Sequence, residues 1–256
     1  NSIGMKLVLI PKGKFLMGSP ETEAARAADE QQHEVTLSRA YYLGAYEVTQ
    51  GQYMKVMGKN PSYFQGDKVA ERHPTTGRVV KDVDSSNFPV EQVSWEEAVE
   101  FCRRLSALPE EKKSGRVYRL PTEAEWEYGC RAGSKTAYSF GDDSRLLGDY
   151  GWHFKNAKQM THPVGQKKAN AWGLYDMHGN VLEWCSDWYG AYPKVGVTDP
   201  TGSSEGSDRA LRGGSWRVGA ALCRSAIRIG NDPALRRNLL GFRLALSPVE
   251  PPAGSK

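Results

Sequence analysis

The cysteines and histidines are the side chains of this 256-residue chain that could most readily bind a metal or attack a substrate. The cysteines form no CxxC pair, which argues against a zinc knuckle, and their number is compatible with either a disulfide or buried free thiols. The histidines are isolated, and we expect each to be a surface or hydrogen-bonded residue rather than a ligand. No nucleophile elbow, P-loop or dinucleotide-binding fingerprint accompanies them. The residues concerned are Cys102, Cys130, Cys185, Cys223, His33, His73, His153, His162 and His178.

One short segment offers a set of oxygen ligands. Asp176 and Glu183 flank Gly179 and Val181, so two carboxylates and two loop carbonyls fall within one tight stretch. Calcium prefers hard oxygen ligands of this kind. The alternative is a turn capped by carboxylates, with Glu183 paired to an arginine. The spacing is compatible with both interpretations.

Three helices have well-marked N-termini. Each begins at a Ser or Thr that is followed three residues later by Glu or Gln, the capping-box pattern. After Ser94 the apolar residues Trp95, Val99, Cys102 and Leu105 share one helix face, which predicts that Cys102 is packed rather than reactive. The three boxes are Thr49 with Gln52, Ser94 with Glu97, and Thr122 with Glu125.

The other elements are expected to be short strands and long loops. Residues 6–10, 14–17 and 33–37 have the pattern of a strand meander. From Gly133 onward the chain is rich in Gly, Asn, Asp, Trp and Tyr, without a periodic segment long enough for a substantial helix. Loops of this kind keep their shape through buried aromatics, internal hydrogen bonds and sometimes ions.

The composition is that of a globular protein, with 39% hydrophobic and 25% charged residues. No apolar run approaches the roughly 20 residues of a membrane-spanning helix, and the first residues lack a signal-peptide pattern. We therefore expect a soluble chain without a membrane span. The sequence does not indicate its cellular compartment. The net charge of +4 is modest and the cations are dispersed, which does not indicate a nucleic-acid partner.

Several short motifs occur together along the chain. They are FLMGS at 15–19, YEVT at 46–49, PVEQVSW at 89–95, RLPTEAEWE at 119–127, GLYDMHGNVLEW at 173–184, LRGGSW at 211–216 and GFR at 241–243. Together they resemble the formylglycine-generating, sulfatase-modifying family. The resemblance implies an α+β fold of the C-type-lectin type, irregular and loop-rich, with short antiparallel strands and a few helices. It predicts one domain over residues 1–246, followed by a loose tail over residues 247–256.

The same resemblance bears on catalysis. Formylglycine-generating enzymes use two cysteines near the Gly-Gly-Ser motif to hold monovalent copper and oxidise a substrate cysteine, because two sulfurs suit this soft ion. On that motif Cys223 falls on the second cysteine and Val218 on the first, so half of the copper pair is missing. The sulfoxide-synthase branch needs a His-x3-His-x-Glu iron site, which this chain lacks. We therefore expect no catalysis.

For the oxygen-rich segment, the resemblance favours calcium over the capped turn. It implies a structural calcium ion held by side-chain oxygens of Asp176 and Glu183 and by backbone oxygens of Gly179 and Val181. Asp176 stands where the family often has Asn, which adds negative charge to the site.

The stretch from Leu211 to Leu246, called the variable segment below, alternates a regular frame with residues of no consistent character. Between Trp216 and Phe242 it contains no Lys, Glu, Gln, Met or Trp, the residues that NNC codons cannot encode. This pattern resembles the variable proteins of diversity-generating retroelements, which carry the same lectin-type fold and randomise adenines in codons such as AAC. The frame residues are Ser215, Trp216, Arg224, Arg228 and Arg243. The displayed positions are Arg217, Val218, Gly219, Leu222, Ile227, Ile229, Gly230, Asn231, Leu235, Arg237, Asn238, Leu239 and Leu240.

These patterns predict a ligand-binding or recognition protein whose displayed positions contact a protein or another macromolecule. The alternative is a formylglycine-generating oxidase that acts on a sulfatase cysteine, with copper as cofactor and Cys223 as its catalytic residue. A structural module of a larger protein is a third interpretation. The apolar displayed residues could also be core residues of a member that does not vary.

Overall fold

A computed structural model describes residues 1–69 and 83–247. His73 and the predicted tail beyond Ser247 lie outside these residues. Within them the elements are short, and the longest helix has 13 residues and the longest strand seven. This mixture of a few helices, short strands and long loops is the predicted α+β architecture.

Three of the described helices begin where the sequence predicts. Thr49, Ser94 and Thr122 each accept a hydrogen bond from the backbone three residues on, and the side chain at that position accepts one in return. The three capping boxes are therefore confirmed, as is the burial of Cys102 on the core face of its helix. The helices are α1 (Gln50–Met57), α2 (Trp95–Ala107), α3 (Pro109–Lys113), α4 (Glu123–Arg131) and α5 (Leu147–Tyr150).

The described strands form three small sheets. The first has the order β1-β4-β11-β5, the second β10-β6-β8-β9 and the third β2-β3-β7. The strands are β1 (Leu7–Ile10), β2 (Gly13–Met17), β3 (His33–Leu37), β4 (Tyr41–Gly44), β5 (Tyr118–Arg119), β6 (Leu182–Trp188), β7 (Val197–Thr198), β8 (Arg209–Arg212), β9 (Ile229–Asn231), β10 (Leu240–Gly241) and β11 (Ala245–Leu246).

The predicted meander is only partly correct. β2 pairs with β3, but β1 pairs with β4 in another sheet. The reason is burial, because Ile10 lies opposite Tyr41 and both side chains enter the same apolar cluster. The turn at Pro11 therefore carries the chain from one sheet to the next.

The second sheet fixes the position of the two ends of the variable segment. β6 lies between β8, which runs antiparallel to it, and β10, which runs parallel. Glu183 of β6 is paired with Arg212 on one side and Gly241 on the other. Both ends of the variable segment are thus bound to one central strand.

Two large apolar clusters make up most of the core of the described residues. One gathers side chains from α1, α2 and the C-terminal strands, and the other gathers side chains from β2, β3, β4 and α4. In the described part of the chain, no helix combines the length and apolarity needed to cross a membrane.

Candidate ligand-binding surface

Buried ion pairs hold the variable segment to the rest of the fold. In each pair an arginine donates to both oxygens of one carboxylate, over distances of 2.5 to 2.8 Å. Two-point charged hydrogen bonds fix direction as well as distance, and a buried charge that loses its partner is costly. Each arginine is therefore held in one place. The pairs are Arg224 with Glu30, Arg228 with Glu123, and Arg243 with Glu183.

Trp216 brings the two halves of the displayed region together. Its indole N–H donates to the carbonyl oxygen of Asn238 at 2.9 Å, and its backbone N–H donates to that of Asn180 at 2.8 Å. The ring also packs edge-on against Phe64. The residues just after Trp216 therefore lie near those around Asn238.

Most of the displayed positions reach the surface. Those that are exposed are Arg217, Gly219, Leu222 and Arg237. Those that are half-buried are Val218, Ile229, Gly230, Asn231, Leu235, Asn238 and Leu239. The frame residues between and beside them are all buried.

Ile227 and Leu240 are corrections to the predicted surface. Leu240 is 0% exposed, since β10 places it in the first core cluster beside β6. Ile227 is 5% exposed, and its carbonyl oxygen accepts a hydrogen bond from the buried Arg212. Both residues are therefore part of the core and not of the predicted contact surface.

The two displayed glycines differ in the room around them. A side chain added at Gly219 would meet no atom within 4 Å, so this position is open to any residue. At Gly230 a Cβ would lie 2.6 Å from the ring of Tyr189 and 3.2 Å from Asp208. Gly230 is therefore fixed by close packing, and the sequence alone gave no sign of this contact.

Glu183, a predicted calcium ligand, is engaged by protein groups. Its oxygens accept hydrogen bonds from Nε and Nη2 of Arg243, at 2.5 and 2.7 Å, and from the indole of Trp126 at 2.8 Å. This is the arginine pairing that the sequence left open as the alternative to calcium. A metal ion could use Glu183 only if these contacts were rearranged.

Asp176 presents a different environment. Its Oδ2 accepts a hydrogen bond from the Gly165 backbone at 2.7 Å, while its buried Oδ1 accepts none from the described residues. Burial raises the pKa of Asp176 to about 6. Burial, and then the nearby Asp176 and Glu183, raise the pKa of Glu47 well above its usual value. The pocket therefore holds more carboxyl groups than one arginine can neutralise.

The predicted calcium site fits these residues in part. The carbonyl oxygens of Gly179 and Val181, like Oδ1 of Asp176, accept no hydrogen bond from the described residues. Within the same residues no three His, Cys, Asp or Glu side chains are grouped so that they could hold a metal. A calcium ion would depend on Asp176 and on carbonyl oxygens, and its binding stays a prediction.

All four cysteines are buried free thiols. Burial raises the pKa of Cys223 to about 12 and that of Cys185 well above its usual value, so both keep their protons at neutral pH. Cys223 packs in a cluster with Tyr138, whereas Cys185 packs in the second core cluster. Copper is bound by thiolates. Cys223 and Cys185 lie in different apolar clusters.

One surface residue next to the displayed positions was missed. The side chain of Phe154 is 65% exposed, and its backbone N–H donates to the carbonyl oxygen of Val218 at 3.0 Å. The sequence signal was available, since Phe154 is an aromatic residue within the polar run His153 to Lys158. Its position beside Val218 could not be deduced without the fold.

The family of the chain follows from comparison with known proteins. A model of the sulfatase-modifying factor enzyme 1-like domain matches residues 3–248. The chain belongs to this family. The solved structure of Treponema denticola variable protein 1 is 32% identical, with a TM-score of 0.83 over 97% of this chain and 98% of that one.

Two curated relatives of this family member have different names. The chaperone protein LppX of Paenibacillus barcinonensis is 33% identical, covering 82% of this chain and 78% of LppX. The formylglycine-generating enzyme of Mus musculus is 29% identical, covering 94% of this chain and 74% of the enzyme. The predicted family, its loop-rich fold and the likeness to a variable protein are confirmed. The two relatives are named for different activities, so their names do not identify the activity of this chain.

Proposed function

We propose that this chain is a recognition protein that displays variable surface residues on a C-type-lectin-like scaffold and does not catalyse a reaction. The observation that carries the proposal is the separation of roles within the variable segment. Arg224, Arg228 and Arg243 are buried in two-point ion pairs, whereas Arg217, Leu222 and Arg237 reach the solvent. The first group holds the fold, and the second is free to contact a ligand.

This separation has an energetic consequence. Surface substitutions away from packing and capping contacts usually change stability by only about ±0.5 kcal/mol. A protein can therefore vary such positions widely while its structure is preserved. Exposed apolar residues such as Leu222 add surface that becomes favourable to bury when a partner covers it.

The similarity to Treponema denticola variable protein 1, which extends over almost the whole of both chains, supports the proposal. The mouse relative is an enzyme by name, so membership of the family alone leaves catalysis open. One feature of this chain favours recognition over oxidation. Val218 stands where the resemblance places the first of the two copper-binding cysteines.

A peptide assay tests the absence of catalysis. The whole chain is loaded with copper(I) and incubated with a cysteine-containing sulfatase-type peptide, with the mouse formylglycine-generating enzyme as the positive control. We expect no formylglycine by mass spectrometry, and the same result for Cys223→Ser. Turnover by the native chain above that of Cys223→Ser would establish the oxidase and refute the proposal.

A further inference from the structure

Phe154 is an exposed aromatic residue on an ordered loop. Its side chain is 65% exposed, although aromatic side chains are usually found largely buried. The loop is fixed on both sides of it. The backbone N–H of His153 donates to Asn156 at 2.7 Å, and the ring of Trp152 stacks on that of His162 at 3.8 Å. The exposure of Phe154 is therefore built into the structure.

The loop that carries Phe154 adjoins the displayed positions. The hydrogen bond from the Phe154 backbone to Val218 places the two chain segments side by side. The next turn of the variable segment, closed by the bond from Leu222 to Gly219, carries Leu222, which is 44% exposed. Phe154 and Leu222 are thus two exposed apolar side chains on segments that meet at Val218, which is half-buried against the cluster of Cys223, and the three residues are called the apolar strip below.

Exposed cations lie on the segments that carry this strip or are bonded beside it. Lys155 follows Phe154, Arg217 precedes Val218, and Arg237 precedes Asn238, to which Trp216 is bonded. Among the described residues none of the three cations has an ion-pair partner, in contrast with the paired arginines of the frame. The positive charges of these three side chains are therefore available to a ligand.

We infer that Phe154 is a fixed anchor of the recognition surface and that the partner is a protein presenting acidic and apolar side chains together. This inference rests on the proposed function and adds a residue and a partner chemistry to it. Aromatic residues and arginines are the side chains on which binding energy most often concentrates at protein interfaces. Cations around such an anchor attract and orient an acidic surface.

The same observations favour a protein over a nucleic acid or a lipid surface. Phosphate binding requires clustered cations, and these three are separated by apolar residues. A membrane surface would attract a longer basic stretch or a broader apolar face. An apolar strip with a charged rim is the usual composition of a protein interface.

Peptide selection provides the test. A phage library of random dodecapeptides is panned against the whole chain, and the selected peptides are synthesised and their affinities measured. We expect them to be enriched in Asp and Glu beside aliphatic or aromatic residues. Phe154→Ser should weaken their binding at least about tenfold, whereas Val117→Ser, at a residue that is 67% exposed and precedes β5, should not. Arg217→Glu should weaken binding, whereas Lys6→Glu, at another exposed cation, should not.

Further variants separate this inference from the proposed function. If a double variant, Val218→Asn with Leu222→Asn, abolishes peptide binding while Phe154→Ser has no effect, the anchor is refuted and the proposed function stands. If Phe154→Ser abolishes binding and the double variant has no effect, the displayed surface itself is refuted. Peptides without acidic enrichment would refute the partner chemistry. Tighter binding to an oligothymidine or to phosphatidylserine vesicles, lost in Arg217→Glu, would refute a protein partner.

Discussion

At the scale of single residues, three carboxyl groups share a buried region with one arginine. Glu47, Asp176 and Glu183 lie near Arg243, and only Glu183 is paired with it directly. Buried charge without a partner is unfavourable, so such a group either keeps a proton or takes up a cation. The raised pKa of Asp176 and its unpaired Oδ1 are compatible with both outcomes.

The calcium prediction concerns this region. We expect excess calcium to raise the melting temperature of the native chain above its value in a chelator, because an ion that binds only the folded state stabilises it. At 100 times the dissociation constant the gain is about 2.7 kcal/mol. Asp176→Ala should lose most of the increase, since it removes both side-chain oxygens, including the Oδ1 that accepts no hydrogen bond from the described residues.

Differential scanning fluorimetry with calcium, magnesium and a chelator measures this effect. Magnesium is the control, because it requires a stricter octahedral arrangement of ligands. Equal melting temperatures of the native chain in calcium and in chelator would exclude a structural calcium ion.

Residue types in the variable segment predicted part of its exposure. Arg217 and Leu222 are exposed as expected, whereas Leu240 and Ile227 are buried. The pattern of small, apolar and basic residues cannot distinguish these cases. The pairing of Leu240 with β6 and the contact of Ile227 with Arg212 join residues that are far apart in the sequence.

At the scale of elements, α4 is the support of the variable segment. Its first residue, Glu123, binds Arg228, and Glu127, one turn later, binds Arg212. The capping box at Thr122 fixes the start of the helix and therefore the direction of both carboxylates. A well-capped helix here serves to present acidic side chains to the arginines.

Arg228→Ala tests this support. Removal of one partner leaves Glu123 buried without its closest cation, and breaking a buried pair typically costs about 3–5 kcal/mol. We expect a loss of about 3 kcal/mol in the free energy of unfolding, measured by urea denaturation. Arg236→Ala is the matched control, because Arg236 pairs with Glu97 at the surface of the same segment. The free energy of unfolding of Arg236→Ala should fall by no more than about 1 kcal/mol.

Equal losses for the two variants would contradict the account of the frame. A loss below about 1 kcal/mol for Arg228→Ala would do the same, since it would mean that the buried pair contributes little to the fold.

Local sequence predicted the starts of elements better than their partners. The capping boxes of α1, α2 and α4 depend on residues three positions apart, and all three are present. The partner of β1 depends on where Ile10 and Tyr41 meet in the core, which local pattern does not contain. Local sequence pattern also does not show which carboxylate pairs with each of the buried frame arginines.

At the scale of the whole molecule, the fold was accessible from the sequence because its motifs resemble a known family. Those motifs include parts of the frame, such as LRGGSW and GFR. The residues between them follow no family pattern, so neither the ligand nor the role of Phe154 was accessible in the same way. Recognition by this chain depends on residues that the fold leaves free.

The most direct test of this account compares two libraries. In the first, codons for the four exposed positions Arg217, Gly219, Leu222 and Arg237 are randomised together. In the second, codons for the four buried positions Trp216, Ile227, Arg228 and Leu240 are randomised. Each library is displayed on yeast, treated with protease and sequenced, so that the fraction of folded clones is measured.

We predict that the first library retains a folded fraction at least about tenfold above that of the second, because exposed substitutions rarely cost more than about 0.5 kcal/mol each. The positions without nearby atoms, such as Gly219, should accept the widest range of residues. Equal folded fractions in the two libraries would show that the displayed positions are part of the structural core, and would contradict a variable recognition surface.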